Sequence, residues 1–329
     1  MEYIIVFISL FVLMLAYFKI ADRFNIIDKP NHRSAHTEIT LRGGGIIFPV
    51  AFLFFLGHEV LFKQYPISLN NTAEPNFWIF GAGLLIICII SFLDDMMDLS
   101  TKIRLVFHFI SVTLLLYFLN AFQLFPWWII PVFYILIIGI LNAYNFMDGI
   151  NGMSGLYTLV ILGALWYVNK NVVTFVDHDF IIYPILAAFV FLFFNFRKKA
   201  KCFLGDIGSM GIAFWVIALL ALLMLKTGEI KWILFLLVYG VDTILTLIER
   251  LLLKENIFDA HRRHLYQLLA NELKMDHRVV SAIYAGVQVV ICVFVIAMPL
   301  ADHWMILLII FPLVLFYVFL KSKIKRTLP

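Results

Sequence analysis

The sequence predicts an all-α, polytopic transmembrane helix bundle, and three observations carry that expectation. Apolar residues fill 63% of the 329 positions and charged residues only 14%, with a mean hydropathy of +0.98, whereas soluble domains carry roughly 25% charge. Eleven apolar runs follow one another, most of them near the ~20 residues that a helix needs to cross a hydrocarbon core. The basic residues collect on alternate connections between those runs.

The first run, 3–21, follows a start that has no basic n-region, and it is too long for a signal-peptide core. It reads as an uncleaved span. The others are 44–62, 77–93, 103–121, 127–141, 153–169, 180–195, 209–225, 231–251, 278–299 and 302–320. The fifth, seventh and eighth are short and merge into polar stretches, so the count is 10–11. No repeat, low-complexity segment or long linker divides the chain, and 1–329 is expected to be one membrane domain. Cys88, Cys202 and Cys292 lie in or beside apolar runs, which is neither a disulfide framework nor a metal-ligand pattern. The 34 phenylalanines are taken as lipid-facing bulk.

Eleven crossings put the termini on opposite faces. One set of connections, with the C-terminal tail, holds 21 of the 25 Lys and Arg residues; the other holds Lys63, Lys170, Lys226 and Lys231. The positive-inside rule makes the first set cytoplasmic. The N-terminus is then outside, the C-terminus is cytoplasmic, and the protein sits as a multi-pass protein in the inner membrane. Trp127 and Trp128 suit an interfacial belt on the outer side. The net charge of +4 gives no reason to expect a nucleic-acid partner.

Polar islands interrupt this pattern, all on the predicted cytoplasmic face: 28–36 (DKPNHRSAH) continuing to 41–45 (LRGGG), 94–98 (DDMMD), 142–152 (NAYNFMDGING), 203–209 (FLGDIGS) and 259–267 (DAHRRHLYQ). Ionisable groups at membrane depth are costly and mark function, so islands confined to one face point to a single composite site. Asn142, Asn145, Asp148 and Asn151 recur every three residues, a spacing that brings side chains together on a helix; a polar inter-helix loop is the plain alternative. Asp94, Asp95 and Asp98 repel one another unless a cation or basic groups intervene, and hard oxygen ligands suit Mg²⁺ bridging to phosphates. Lys102 and Arg104 are close enough to neutralise part of that charge, although a solvated helix end would look the same. Asp206, in the glycine-flanked start of an apolar run, reads as a helix cap or as part of a phosphate-binding helix start. His261, Arg262, Arg263 and His264 offer guanidinium forks and imidazoles for phosphate, or a basic cluster for anionic lipid. Gly43 to Gly45 alone is a weak signal, and His58, His178 and His303, on the other face, receive no role.

Taken in order, the islands resemble the motifs of the polyprenyl-phosphate N-acetylhexosamine-1-phosphate transferase superfamily, glycosyltransferase family 4. The resemblance covers nearly the whole chain, and 142–152 fits the family's NxxNxxDGxxG pattern almost letter for letter. It implies transfer of a HexNAc-1-phosphate, GlcNAc or a related N-acetyl sugar, from a UDP-sugar to undecaprenyl phosphate, with release of UMP, to start a lipid-linked surface glycan such as an O-antigen. It implies Mg²⁺, with Mn²⁺ as a substitute, held by Asp206 and Asn145. Asp94, Asp95, Asp148 and Arg104 are implied as the catalytic set. Asn142, Asn151, Gly44, His261, Arg262, Arg263 and His264 are implied as substrate-binding. The last motif departs from the family's histidine triple: His264 matches, but Tyr266 and Gln267 replace the others, which argues against a peptidoglycan-precursor transferase. Homodimerisation is left open by the sequence.

Two other classes share some of these features. A secondary transporter places its polar groups near the midplane rather than at one face. An intramembrane Mg²⁺-dependent prenyltransferase would carry a second Asp-rich segment, where this chain has Asn142 to Asp148.

Overall fold

The computed structural model describes residues 1–28, 39–64, 76–97, 99–256 and 261–327; positions 29–36 of the first island, Asp98 and Asp259 lie outside them. The helices in chain order are α1 (Glu2–Arg23), α2 (Ile47–Phe62), α3 (Phe77–Met97), α4 (Thr101–Phe118), the one-turn α5 (Ala121–Leu124), α6 (Ile130–Met147), α7 (Met153–Asn171), α8 (Asp179–Asn195), α9 (Gly205–Thr227), α10 (Leu237–Leu252), the short α11 (Leu265–Gln267), α12 (His277–Ala297) and α13 (Asp302–Thr327). Tight 3-10 turns at Gly44–Ile46 and Ile230–Leu236 lead into α2 and α10. A two-residue ladder pairs β1 (Ile27–Asp28) antiparallel with β2 (Thr40–Leu41), Ile27 opposite Leu41.

Each of the eleven apolar runs coincides with a helix. Among the described residues nine helical segments are long and apolar enough to cross a membrane, and α8 is a shorter apolar one. In lipid every backbone group must be satisfied within its own segment, which is why such runs fold as helices.

The bundle is built around α9. Its apolar stretch is 89% buried, against 11% for α13 at the periphery, as expected of a helix that is apolar on every side. Trp215 on α9 meets Phe52 of α2, Phe80 of α3 and Phe180 of α8 at ring distances of 5.5, 5.8 and 5.3 Å. Its indole N–H donates to the Phe180 carbonyl at 3.1 Å. The phenylalanines are therefore not simply lipid-facing bulk: Phe48, Phe52, Phe55, Phe80, Phe118 and Phe180 are fully buried. With few polar groups available inside the bundle, edge-to-face aromatic packing fills the space between helices.

Two local features place the polar islands together. The segment after β2 runs against the chain before α9: Phe203 N donates to Leu41 O, Gly44 N to Phe203 O and Gly45 N to Leu204 O, each at 2.8 Å. A Cβ on Gly45 would lie 2.1 Å from Gly208 Cα, so only a glycine pair permits this approach. The second feature is the break between α6 and α7. The three-residue spacing predicts one helical stripe, but α6 ends at Met147, and Asp148 and Asn151 lie in the turn that follows. Gly152 has φ +85° there, a conformation that other residues adopt only with strain. Its N–H donates to Asn195 Oδ1 at 2.6 Å, docking the turn on the end of α8.

Candidate active site

Two of the acidic residues converge where the start of α9 meets the end of α3. Asp95, with a side chain only 2% exposed, lies 2.6 Å from Arg42 Nη2. Its Oδ2 accepts the Asp206 backbone N–H at 2.8 Å. The first N–H groups of a helix lack intrahelical partners and favour negative charge, so Asp95 caps α9 across the bundle. That differs from two expectations: neither Asp206 nor Ser209 caps the helix, and the Asp206 N–H is not left for phosphate. Arg42 Nη2 also lies 3.7 Å from Asp206 Oδ1, which places one guanidinium between two carboxylates. Asn145, on the last turn of α6, donates to Ser209 Oγ at 3.1 Å. Asp94 faces elsewhere, accepting Leu99 N at 2.9 Å and Arg104 Nη1 at 2.7 Å.

In front of this cluster opens a cavity of about 220 Å³, lined among others by Arg42, Asn145, Asp148, Asn151, Asp206 and Asn271. Asn151 donates to Arg197 O at 2.9 Å. Burial pushes the Asp148 carboxyl up from its ordinary range to about 7; the Asp206 charge adds to this, while Ser154 and Arg42 oppose it. At neutral pH Asp148 is thus poised between its acid and its carboxylate.

The remaining expected residues are distributed around this centre. Asn142 back-bonds to Ile138 O at 2.8 Å and is not in the cavity wall. Gly44 packs against Cys202, whose sulfur would lie 2.7 Å from an added Cβ. Arg263 turns away to Glu255 and, at 3.5 Å, to Glu249. Arg262 does not line the cavity. His264 is 3% exposed, with Nδ1 3.2 Å from the buried Asp242 and its ring 4.9 Å from that of His261. Burial, followed by nearby cationic groups, lowers His261 to about 4.

Sequence reasoning assigned no role to Arg42, Asn195, Asn271 or His277, all of which line the cavity. Arg42 carried a signal, since it sits inside the LRGGG stretch beside a span, as did Asn195, the polar residue ending the run FLFFN. Asn271 and His277 lie beyond the last motif and had none.

Two cavity residues fit a divalent cation: the Asp206 carboxylate and the Asn145 amide are hard oxygen donors in the cavity lining, the type that Mg²⁺ takes. Among the described residues, the only group of three or more His, Cys, Asp and Glu side chains with converging ligand atoms lies elsewhere, at His58, Glu59 and Asp179.

Comparison with known proteins points to a glycosyl transferase family. The sequence profile of glycosyl transferase family 4 matches residues 77–225, from α3 into α9, and so includes Asp94, Asp95, Asn145, Asp148 and Asp206. A probable undecaprenyl-phosphate N-acetylglucosaminyl 1-phosphate transferase of Bacillus subtilis (strain 168) is 25% identical over 91% of this chain and 84% of its own length. The undecaprenyl-phosphate alpha-N-acetylglucosaminyl 1-phosphate transferase of Escherichia coli (strain K12) is 26% identical over 80% of this chain and 74% of its own. A phospho-N-acetylmuramoyl-pentapeptide-transferase of Petrotoga mobilis is 29% identical, but over only 51% of this chain and 56% of its own. With the motifs in order and the relatives aligned along most of its length, the chain is similar to undecaprenyl-phosphate N-acetylglucosaminyl 1-phosphate transferases and, over 77–225, to glycosyl transferase family 4.

Proposed function

We propose that the protein transfers N-acetylglucosamine 1-phosphate, or a closely related N-acetylhexosamine 1-phosphate, from its UDP-sugar to undecaprenyl phosphate at the cytoplasmic face of the inner membrane. An oxygen of the acceptor phosphate bonds to the β-phosphorus of the UDP-sugar. The bond from that phosphorus to the bridging oxygen breaks, and UMP leaves with the electron pair. The observation that carries this reading is the single guanidinium of Arg42 held between Asp95 and Asp206 at the rim of a cavity walled by carboxylates and amides. Phosphoryl transfer needs charge neutralisation and alignment more than covalent help, and this wall supplies both.

Asp206 and Asn145 would hold Mg²⁺. When bound, the ion would screen the diphosphate charge so that an anionic acceptor can approach. Arg42 offers guanidinium donors suited to phosphate oxygens. Asp95 keeps that guanidinium oriented and anchors the start of α9. Asp148 can accept a proton from a monoanionic acceptor phosphate, because its carboxyl titrates near 7, close to the second phosphate pKa of about 6. Asn195 braces the turn that carries Asn151, its amide accepting Gly152 N–H and donating to Cys202 O. Asp94 and Arg104 brace each other at the end of α3, acting through position rather than contact.

The test is a UMP-release assay over a panel of UDP-N-acetylhexosamines with undecaprenyl phosphate. Turnover should require both substrates. A stoichiometric burst of UMP from UDP-sugar alone, in lipid-depleted enzyme, would replace direct transfer by a covalent intermediate.

A further inference from the structure

At the opposite end of the bundle a second polar cluster joins α1, α2 and α8. Glu59, with a side chain 5% exposed, and Asp179, at 10%, face His58 on α2. His58 Nε2 lies 2.9 Å from Glu2 Oε1, and Glu2 Oε1 also accepts the Tyr183 hydroxyl at 3.2 Å. The Tyr3 hydroxyl donates to Asp179 Oδ1 at 2.6 Å. These contacts use His58 Nε2 and Asp179 Oδ1 and leave the other imidazole nitrogen over. His58 Nδ1 is buried without a hydrogen-bond partner, 3.5 Å from Asp179 Oδ2 and 3.9 Å from Glu59 Oε1.

That pattern is a ligand set with its supporting shell. A metal-binding imidazole commonly donates its other N–H to a carboxylate, which fixes the tautomer and turns the free nitrogen to the ion. Glu2 is placed to do this for His58 Nε2. Ligands about 2.0–2.2 Å from a tetrahedral Zn²⁺ stand roughly 3.3–3.6 Å apart; the three atoms here lie within 4.8 Å of one another, so binding draws them slightly inward. A bare Nδ1 and two carboxylate oxygens converging without a cation would repel. The cation present is the Lys63 ammonium, 2.8 Å from Glu59 Oε1 and 2.9 Å from Asp179 Oδ2. Its side chain is 37% exposed and also reaches Asp177 at 2.8 Å, so it can leave the centre without losing every partner.

We propose that His58 Nδ1, Glu59 Oε1 and Asp179 Oδ2 form a binding site for a divalent transition cation of the Zn²⁺ class, for which the Lys63 ammonium stands in. Binding displaces that ammonium and joins the ends of α2 and α8. The imidazole nitrogen separates this site from the all-oxygen wall of the catalytic cavity: borderline-soft Zn²⁺ suits the one, and Mg²⁺ the other. The eleven residues of α2 from Ile47 to Gly57, at about 1.5 Å rise each, hold the two sites apart along the bundle.

The experiment uses the full chain in detergent, stripped with chelator and titrated with Zn²⁺ and with Co²⁺. Metal content after desalting and the visible absorption of bound Co²⁺ are the readouts. Wild type should retain one equivalent that His58→Ala loses, while Asp206→Asn keeps it. Lys63→Met, which removes the competing cation, should bind at least tenfold more tightly. Equal metal content in wild type and His58→Ala, or no gain in Lys63→Met, would overturn the site and leave His58 as an imidazolium paired with its carboxylates. UMP release by His58→Ala at the wild-type rate would show that its lost metal is not lost folding.

Discussion

Arg42 is the residue on which the acidic centre depends, because it is the cation between Asp95 and Asp206. Arg42→Ala should lower UMP release by about 10²–10³-fold, the usual effect of removing one preorganised electrostatic donor. Arg42→Lys should recover little, since a point charge cannot serve two carboxylates and a phosphate with a planar fork. Recovery to near wild type would reduce Arg42 to a source of charge alone. Asp206→Asn should raise the Mg²⁺ requirement of turnover; unchanged turnover at limiting Mg²⁺ would remove Asp206 from the ion. Asp148 gives a pH prediction. Its folded-state pKa of about 7 lies above the unfolded value of about 3.9. In metal-free protein the folded state therefore binds the extra proton between these values, and this contribution to stability falls as pH rises from about 4 to about 7, then levels off. Subtracting the melting profile of Asp148→Asn from that of the wild type should isolate this decline, and a flat difference would show that the carboxyl titrates normally.

At the scale of elements, the site exists because β2 and the turn after it are laced to the start of α9. Gly45 and Gly208 make that approach. Gly208→Ala would force a methyl to 2.6 Å from Gly45 Cα, a backbone contact that no rotamer relieves. The expected cost is about 1–3 kcal/mol, as for overpacking elsewhere, read as a lower melting temperature together with lost turnover, since Arg42 and Asp206 would be pushed apart. Gly57, with nothing within 4 Å of an added Cβ, is the control, and Gly57→Ala should leave both unchanged.

For the whole molecule, the described parts of the islands gather at one end of the bundle, and the His58 cluster lies at the other. The native cysteines are buried, so an introduced thiol should report its own side. Lys198→Cys, in the connection from α8 to α9, should react with an impermeant maleimide only from the cytoplasm. Asn171→Cys, at the far end of α7, should react only from outside. Labelling with the sides reversed would invert the orientation and move the UDP-sugar site out of the cytoplasm.

The sequence by itself determined the helices, because a run of about 20 apolar residues has one way to satisfy its backbone in lipid. It also determined which polar residues matter, because polar groups at membrane depth are too costly to occur by chance. Asp95, Asn145, Asp148 and Asp206 were legible on that ground. Only the tertiary structure decided who pairs with whom. Asp95 caps a helix 111 residues away in sequence, and Arg42 crosses to α3 and α9; no local spacing encodes either contact. Asn142 and Arg263 matched the composition of a site, yet they face their own helix and nearby glutamates, because orientation depends on where α6 and α10 pack. The phenylalanines read as lipid-facing, since hydropathy does not distinguish a neighbouring helix from a lipid tail. The His58 cluster was invisible for the same reason: its residues come from three helices whose ends meet only after folding.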